Sequence, residues 1–175
     1  MKYLVIGGVA GGATVAARLR RLDEQSEIIL FERGAYVSYA NCGLPYYIGG
    51  EINDRKKLFV QTVQGFIDRF RIDIRTEQEV IAIHPEKKTV DVKNLKSGEV
   101  YSESYDKLAL SPGAEPLRPR IDGIDNPKIF TLRNVADTDA IKQEMDERKP
   151  KSAVVVGGAV WMASYPASAV LVVDP

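Results

Sequence analysis

The chain has 175 residues, of which 45% are hydrophobic and 27% are charged, with a mean hydropathy of -0.17. This length and composition suit one water-soluble globular domain with a sizeable core and exclude a fibrous, disordered or membrane-spanning protein. Twenty-four basic residues balance 24 acidic residues, which removes the electrostatic case for nucleic acid or a membrane surface as the main partner.

Cysteine usage and the N-terminal sequence predict the compartment. Cys42 is the single cysteine, so an internal disulfide is excluded, and the start MKYLVIGG lacks the basic region and long apolar run of a signal peptide. No stretch approaches the roughly 18 uninterrupted apolar residues of a membrane helix. We therefore expect a cytoplasmic protein without membrane association, and we predict no metal site.

The first 32 residues predict a strand, a glycine turn, a helix and a second strand. Lys2 to Ile6 form a short apolar run typical of a buried parallel strand, and a glycine-rich turn and a helical segment follow at once. Ile28 to Glu32 form a second buried strand that ends in an acid. This βαβ unit predicts a Rossmann-like α/β fold, in which helices cover a parallel sheet.

The middle of the chain predicts a helix and then an antiparallel meander. Thr62 is placed to cap a helix that runs through GFIDRFR. Three β-rich pieces separated by turn signals predict a meander over about residues 78–106. These pieces are Glu79 to His84, Lys88 to Lys93 and Glu99 to Tyr105. Lys107 to Leu110 is predicted to return to the core.

The last third begins with a loop that extends to Pro127. The segment IFTLRN and a polar helix, DTDAIKQEMDERK, follow and end before Pro150. Ser152 to Gly158 then predict another strand and glycine turn. We therefore place a boundary between a first domain, residues 1–150, and the start of a second domain, residues 151–175.

The glycine turn after the first strand fits a dinucleotide fingerprint. Gly7 stands where the tight turn needs glycine, and Gly12 stands where the helix packs closely on the strand. Val9 replaces the usual middle glycine, although the neighbouring Gly8 and Gly11 keep the loop free of side chains.

The surroundings of this turn support nucleotide binding. The amides at the start of the following helix can hold an anion. Glu32, at the end of the next strand, can accept hydrogen bonds from ribose hydroxyls. The alternative is an ordinary turn followed by a surface acid, and the pattern does not choose FAD over NAD.

Cys42 lies within SYANCGLPYYIG, just before a predicted short helix. Pro45 is tolerated in the first turn of such a helix, and a helix N-terminus stabilises the thiolate, which is the reactive form of cysteine. We interpret Cys42 as a nucleophile. The alternative is a buried free cysteine that packs as a small hydrophobic residue.

Five segments together resemble the flavoprotein pyridine nucleotide-disulfide oxidoreductases. They are VIGGVAGGATVAARLRRLD, IILFERG, VSYANCGLPYYIGGEI, YDKLALSPGAEP and IFTLRNVADTDAI. The resemblance covers about residues 1–158 and is nearest to the coenzyme A-disulfide reductases, including those that carry a C-terminal rhodanese domain and act on persulfides. SYANCGLPYYIG is its most specific part.

The resemblance implies a site, position by position, in an FAD-binding domain over residues 1–150. Cys42 matches the family's redox cysteine, which cycles between a thiolate and a mixed disulfide with coenzyme A. The matches to flavin-binding positions are Gly7, Gly8, Val9, Ala10, Gly11, Gly12, Glu32, Arg33, Asn41, Cys42, Val80, Ser111 and Gly113. The matches to coenzyme A contacts are Thr14, Arg18, Arg21, Ser38 and Asn41.

The implied reaction passes electrons from NAD(P)H to FAD, from FAD to the Cys42 mixed disulfide, and onward by thiol exchange. An alternative within the superfamily is an NADH oxidase or peroxidase, in which a single cysteine cycles through a sulfenic acid.

For Arg18 and Arg21, the alternative to coenzyme A binding is a solvated helix face on which Arg21 pairs with Asp23 or Glu24.

Residues 151–175 depart from the family pattern. Positions that should be glycines in an NAD(P)H-binding turn read Gly157, Ala159 and Met162, and Pro166 stands where a helix should run. We expect the first strand and turn of an incomplete NAD(P)H domain with an aberrant tail. The chain is then an N-terminal fragment with little or no turnover, or a catalytically silent one. The full-length family is homodimeric, and an exposed sheet edge predicts self-association of this chain.

Overall fold

The computed structural model describes residues 1–156 and 170–174. The chain divides into two compact units. The first unit comprises Met1–Tyr39 and Phe59–Gly113, and the second comprises Ala40–Leu58 and Ala114–Pro175. No helix in the described part of the chain has both the length and the apolar character that crossing a bilayer requires.

The described residues form strands, helices and short 3-10 turns. In chain order the strands are β1 (Lys2–Ile6), β2 (Glu27–Glu32), β3 (Asp73–Thr76), β4 (Gln78–His84), β5 (Thr89–Asn94), β6 (Val100–Ser104), β7 (Lys107–Leu110), β8 (Ile129–Thr131), β9 (Ser152–Val156) and β10 (Val170–Asp174). The α-helices are α1 (Ala10–Leu22), α2 (Leu44–Ile48), α3 (Val63–Phe70) and α4 (Val135–Arg148). The 3-10 turns are Asn41–Gly43, Arg55–Leu58 and Pro85–Lys87.

A parallel sheet is the centre of the first unit. Its strand order is β3-β2-β1-β7, and all three pairings are parallel. The predicted βαβ unit is confirmed, as are the strand at Lys107–Leu110 and the helix after Thr62, whose Oγ1 accepts a hydrogen bond from the Gly65 amide at 3.0 Å. Strand β3 was not predicted, because DIRT is short and carries two charged residues.

Both faces of this sheet are buried, because neighbouring residues of a strand point to opposite faces. On one face Val5 and Leu30 pack against α1 and α3, including Ala16 and Phe66. The opposite face carries another apolar cluster, whose buried members are Leu4, Ile29, Phe31, Val90 and Val92. Parallel strands buried on both faces explain why β1 and β2 read as continuous apolar runs.

The meander β4-β5-β6 covers the second face and is antiparallel, as predicted. Val80, one of the positions matched to flavin binding, is partly buried in it and packs against the Val90 and Val92 cluster. The pairing of β4 with β5 shifts between Val80 and Ala82, which leaves Ile81 half exposed. Such a bulge lets Val80 pair with Val92 and Ile83 pair with Val90, although Ile83 remains 37% exposed.

A charged network joins the meander to the parallel sheet. The Glu103 carboxylate accepts a hydrogen bond from Lys2 Nζ at 2.7 Å and one from Arg75 Nη1 at 2.7 Å. Burial by itself raises the pKa of Glu103. The hydrogen bonds and charges of Lys2 and Arg75 outweigh burial, so the pKa of this carboxyl lies below its ordinary value. The Glu103 side chain is only 15% exposed, so the solvent screens this network weakly.

Arg20 is a buried cation that joins the C-terminal ends of α1 and α3. Its Nε donates to the Phe70 carbonyl at 2.7 Å, and its Nη2 donates to the Arg71 carbonyl at 2.9 Å. Its Nη1 donates to the carbonyls of Ser26 at 2.7 Å and Glu24 at 2.9 Å. Carbonyl oxygens at a helix C-terminus carry the negative end of the helix dipole, so they stabilise a guanidinium that is only 8% exposed.

The second unit contains α2, α4 and an antiparallel sheet. The strand order of the sheet is β8-β10-β9. A capping box starts α4, because Asn134 Oδ1 accepts from the Asp137 amide at 2.9 Å and Asp137 Oδ2 accepts from the Asn134 amide. The predicted polar helix and the predicted strand at Ser152 are therefore present, whereas the predicted turn at Gly157 and Gly158 lies outside the described residues.

Loss of the Arg20 guanidinium is expected to destabilise the first unit. Arg20→Met leaves several buried carbonyls without a donor, so we expect the free energy of unfolding in urea to fall by about 3 kcal/mol. Arg20→Lys is expected to lose most of that energy, because an ammonium cannot reproduce the planar fork. The control is Arg18→Met, at an exposed position of α1, and equal stability of Arg18→Met and Arg20→Met would contradict the assignment.

The Glu103 network predicts acid sensitivity. Because the folded pKa lies below the ordinary value of 4.5, its stabilisation is complete above that value and is lost as the pH falls through the folded pKa. Glu103→Gln should lower the free energy of unfolding by about 2 kcal/mol at pH 7. It should also flatten the loss of stability between pH 5 and pH 3, measured by urea titration. A variant at exposed Glu99, Glu99→Gln, serves as the control; the prediction is wrong if both variants show the same pH slope.

Candidate nucleotide and thiol sites

The β1 to α1 turn leaves no room for side chains at two positions. Gly7 has a φ of +94°, and a Cβ there would lie 2.0 Å from the Ser111 carbonyl oxygen. A Cβ on Gly12 would lie 1.7 Å from the Gly7 carbonyl oxygen. These distances are shorter than any van der Waals contact, so β1, α1 and the residue after β7 meet backbone to backbone. The tight-turn and close-packing roles predicted for the two glycines agree with this geometry.

The N-terminus of α1 is open to an anion. Its N-cap residue, Val9, makes no side-chain capping hydrogen bond, and its first turn carries no acidic residue. Ala10 and Gly11 are exposed. The first amides of an α-helix have no partner within the helix, so they form a site that favours negative charge. Val9 has a φ of -91°, so it does not adopt the positive φ that favours glycine.

Glu32 is held beside the same turn. One carboxylate oxygen accepts from the Gly8 amide at 2.7 Å, and the other accepts from the Gly34 amide at 2.7 Å. The Gly8 amide thus joins the glycine turn directly to the end of β2. Glu32 is partly exposed, so lone pairs remain open to further donors such as hydroxyl groups.

Ser111 completes the wall opposite the glycines. Its amide donates to the Ile6 carbonyl at 2.8 Å, and its hydroxyl lies 3.1 Å from the place that a Cβ of Gly11 would occupy. Gly113, two residues later, has a φ of +71°. The structure therefore brings together seven of the positions matched to flavin binding. They are Gly7, Gly8, Val9, Gly11, Gly12, Glu32 and Ser111.

Two further positions matched to flavin binding, Arg33 and Val80, lie in the first unit. Val80 belongs to the meander, on the sheet face opposite to α1. Arg33 is exposed and follows Glu32 at the end of β2. Both positions were matched to flavin binding through the family resemblance alone. No local pattern in the sequence marks either of them.

The positions matched to coenzyme A contacts in the first unit lie on α1 and at Ser38. Thr14, Arg18 and Arg21 are exposed on α1. Ser38 has a φ of +48°, an uncommon value for serine, and its amide donates to the Gly8 carbonyl at 2.9 Å. A positive φ at a residue other than glycine persists only where the surrounding structure enforces it. Such residues occur often at binding sites. The hydrogen bond from the Ser38 amide to the Gly8 carbonyl helps to hold this conformation.

An aromatic residue that the sequence did not predict for this site lies beside Arg21. Arg21 Cζ lies 5.7 Å from the centre of the Phe70 ring, and Arg69 Cζ lies 5.2 Å from it. The ring orients both cations by cation–π contact. A shallow basic hollow results, and its lining is Arg20, Arg21, Glu24, Arg69, Phe70 and Arg71. Helical spacing linked Arg18 to Arg21, but only the tertiary fold brings Arg69 and Phe70 of α3 beside Arg21.

Cys42 lies in the second unit, in the 3-10 turn Asn41–Gly43. Its side chain is exposed, so the alternative of a buried, hydrophobically packed cysteine is wrong. The predicted short helix follows as α2, with Pro45 in its first turn. Gly43 packs closely, because a Cβ there would lie 3.3 Å from Leu58 and 3.4 Å from Ile52. Asn41 precedes Cys42 in the same turn.

The predicted NAD(P)H-binding turn follows β9 along the chain. Gly157, Ala159, Met162 and Pro166 lie outside the described residues. Strand β9, which precedes them, pairs with β10 in the antiparallel sheet of the second unit.

An α/β unit with a glycine turn and an exposed cysteine in a turn are the two features that the sequence predicts for a nucleotide-dependent redox protein. The family model described as "Pyridine nucleotide-disulphide oxidoreductase" matches residues 1–164. The chain belongs to this family.

Three comparisons show which members the chain is similar to. It is 49% identical over 156 residues to a coenzyme A disulfide reductase from Staphylococcus haemolyticus, covering 89% of this chain and 35% of that protein. The structure of reduced Bacillus anthracis CoADR-RHD is 59% identical, with a TM-score of 0.84, over 86% of this chain and 27% of that one. A NAD-dependent persulfide reductase from A. fulgidus is 34% identical, with a TM-score of 0.80, over 84% and 27%. The chain spans about a third of the length of the curated relatives it matches.

The close approach at Gly12 predicts a sharp penalty for a methyl group. Gly12→Ala should lower the free energy of unfolding by about 3 kcal/mol, because backbone atoms on both sides have to move apart. The matched control is Gly49→Ala, for which the nearest atom to the new Cβ lies 3.5 Å away, and we expect a change within about 0.5 kcal/mol. Urea titration measures both values, and equal stability of the two variants would show that the turn opens easily.

Proposed function

We propose that this chain carries the FAD-binding and cysteine-bearing part of an NAD(P)H-linked reductase of coenzyme A disulfide or persulfide. The observation that carries the proposal is the exposed Cys42 in the turn ahead of α2, in a chain 49% identical to a coenzyme A disulfide reductase. An exposed thiol in an ordered turn is suited to exchange with an external disulfide.

The glycine turn fits the ADP portion of FAD. Gly7 and Gly12 let β1, α1 and Ser111 approach backbone to backbone, and the uncapped amides at the start of α1 are proposed to bind the pyrophosphate. Glu32, held by Gly8 and Gly34, can accept hydrogen bonds from the two ribose hydroxyls. Ser111 lies against the turn at Gly7 and Gly11, and Ser111 and Gly113 are proposed as further contacts to the cofactor. When bound, FAD supplies the electron pair that returns a Cys42 mixed disulfide to the thiolate.

The proposed step at Cys42 is a thiol-disulfide exchange. The Cys42 thiolate attacks one sulfur of coenzyme A disulfide, a bond forms between Cys42 Sγ and that sulfur, and the other coenzyme A leaves as a thiolate that takes a proton from water. With coenzyme A persulfide the same bond forms, and hydrosulfide leaves. Both exchanges conserve electrons, so reduction of the enzyme is a separate step.

The basic hollow supports a substrate that carries phosphate groups. Arg21 and Arg69 hold their guanidinium groups against the Phe70 ring, and Arg18 is exposed on the same helix as Arg21. Coenzyme A carries several phosphate charges, which guanidinium groups bind through paired hydrogen bonds. Thr14, Ser38 and Asn41 are proposed as polar contacts to the same molecule.

The electron source and the assembly state extend the proposal to the complete protein. We propose NAD(P)H as the reductant and a homodimer as the active form, on the basis of the family resemblance. For the chain by itself, we expect little or no NAD(P)H-dependent turnover. The exchange at Cys42 requires neither of these features and is therefore the step to test first.

The decisive measurement is the product formed at Cys42. After incubation with coenzyme A disulfide, we expect the intact mass to increase by one coenzyme A, with one coenzyme A thiol released, and we expect no adduct with Cys42→Ser. The rate constant should exceed that for bis(hydroxyethyl) disulfide by about tenfold, because attraction of the phosphate groups to the arginines raises the rate of encounter.

A parallel titration tests cofactor binding. Added FAD should be retained by the protein after gel filtration and detected by its visible spectrum.

Arg21 tests the contribution of the basic hollow. Arg21→Gln should lower the coenzyme A disulfide rate by about threefold and leave the bis(hydroxyethyl) disulfide rate unchanged. Arg148→Gln, at a 61% exposed side chain of α4, is the control. A sulfenic acid at Cys42 after peroxide treatment, together with no coenzyme A adduct, would contradict the proposal and favour the oxidase or peroxidase alternative.

A further inference from the structure

A bidentate ion pair joins two distant segments of the second unit. Arg55 Nε donates to Asp139 Oδ1 at 2.8 Å, and Arg55 Nη2 donates to Asp139 Oδ2 at 2.7 Å. Two parallel hydrogen bonds fix the relative orientation of the guanidinium and carboxylate planes, which a single contact cannot do. The pair connects the segment after the cysteine turn with α4.

The Asp139 end of the pair is rigid. The capping box of Asn134 and Asp137 fixes the start of α4, and Val135, Thr138 and Ile141 bury one face of the helix. Asp139 follows the fully buried Thr138, so its backbone has little freedom to move.

The Arg55 end connects to the cysteine turn through Leu58. Arg55 begins the 3-10 turn Arg55–Leu58, and Leu58 ends it with its side chain fully buried. The Leu58 carbonyl accepts from the Ala40 amide at 2.8 Å, and its Cδ2 lies 3.3 Å from the Cβ position of Gly43. Ala40 and Gly43 stand on either side of Asn41 and Cys42, and the Gly43 amide donates to the Ala40 carbonyl at 2.9 Å. The turn that presents Cys42 therefore rests on the turn that Arg55 begins.

We propose that Asp139 is a positioning residue for Cys42 and acts through Arg55. This inference rests on the proposed function, because it concerns the orientation of the same thiol. A thiolate has to approach a disulfide along the axis of the S–S bond, whereas a small alkylating reagent reaches an exposed thiol from many directions. The ion pair thus matters for exchange with a bound disulfide and little for simple alkylation.

The test compares two reactions of Cys42 in matched variants. The rate constants with coenzyme A disulfide and with iodoacetamide are measured, and their ratio is the readout. Asp139→Asn should lower this ratio by about threefold or more. Asp146→Asn is the control, because Asp146 also lies on α4 and accepts a hydrogen bond, from Lys142 at 2.9 Å. The double variant Arg55→Asp/Asp139→Arg should restore the ratio toward that of the unsubstituted chain.

Equal ratios for Asp139→Asn and Asp146→Asn would overturn the inference. If Asp139→Asn does not fold, Arg55→Lys replaces it, since lysine keeps the charge and loses the bidentate geometry. An unsubstituted chain that forms no coenzyme A adduct contradicts the proposed function by itself. Hydrogen exchange at the Ala40 and Gly43 amides then tests the positioning role of Asp139 without a substrate. Faster exchange in Asp139→Asn than in Asp146→Asn supports this role, and equal exchange in the two variants overturns it.

Discussion

The close approach of three backbone segments at the glycine turn is the constraint on which the first unit depends. Gly7 touches the residue after β7, and Gly12 touches Gly7, so strand β1, helix α1 and the end of β7 are fixed within a van der Waals contact of one another. A side chain at either glycine would collide with backbone atoms and push α1 away from the sheet, together with the amides that begin α1. The packing of the first unit and the position of these amides therefore share one steric requirement.

Polar groups set the position of the elements around this turn. The Arg20 guanidinium joins the ends of α1 and α3 through carbonyl oxygens, and the Glu103 network joins β1 and β3 to the meander. Apolar burial on both faces of the sheet supplies the main driving force, but it is non-directional. Hydrogen bonds to buried charges are directional, and they fix which helix end and which strand meet.

The second unit carries Cys42 on a turn and not on a regular element. Cys42 is exposed, while its neighbours are tied down by the close packing of Gly43 on Leu58 and by the hydrogen bond between Ala40 and Leu58. A reactive thiol needs access for its partner and also needs a defined direction. An exposed residue on a supported turn meets both needs, and the ion pair of Arg55 with Asp139 extends that support to α4.

The sequence by itself determined the α/β class, the βαβ unit, the meander, the helix capped at Thr62 and the turn before α2. These features follow from local periodicity, from glycine positions and from capping residues. All of these can be recognised from residues that are close together along the chain. The family resemblance also selected Cys42 and the glycine turn. Tertiary structure alone decided that Cys42 is exposed, that Phe70 lies beside Arg21, and that Arg20 and Arg55 each bind distant partners. Such contacts join segments from 49 to 84 residues apart, and no local pattern records which surfaces meet when the chain folds.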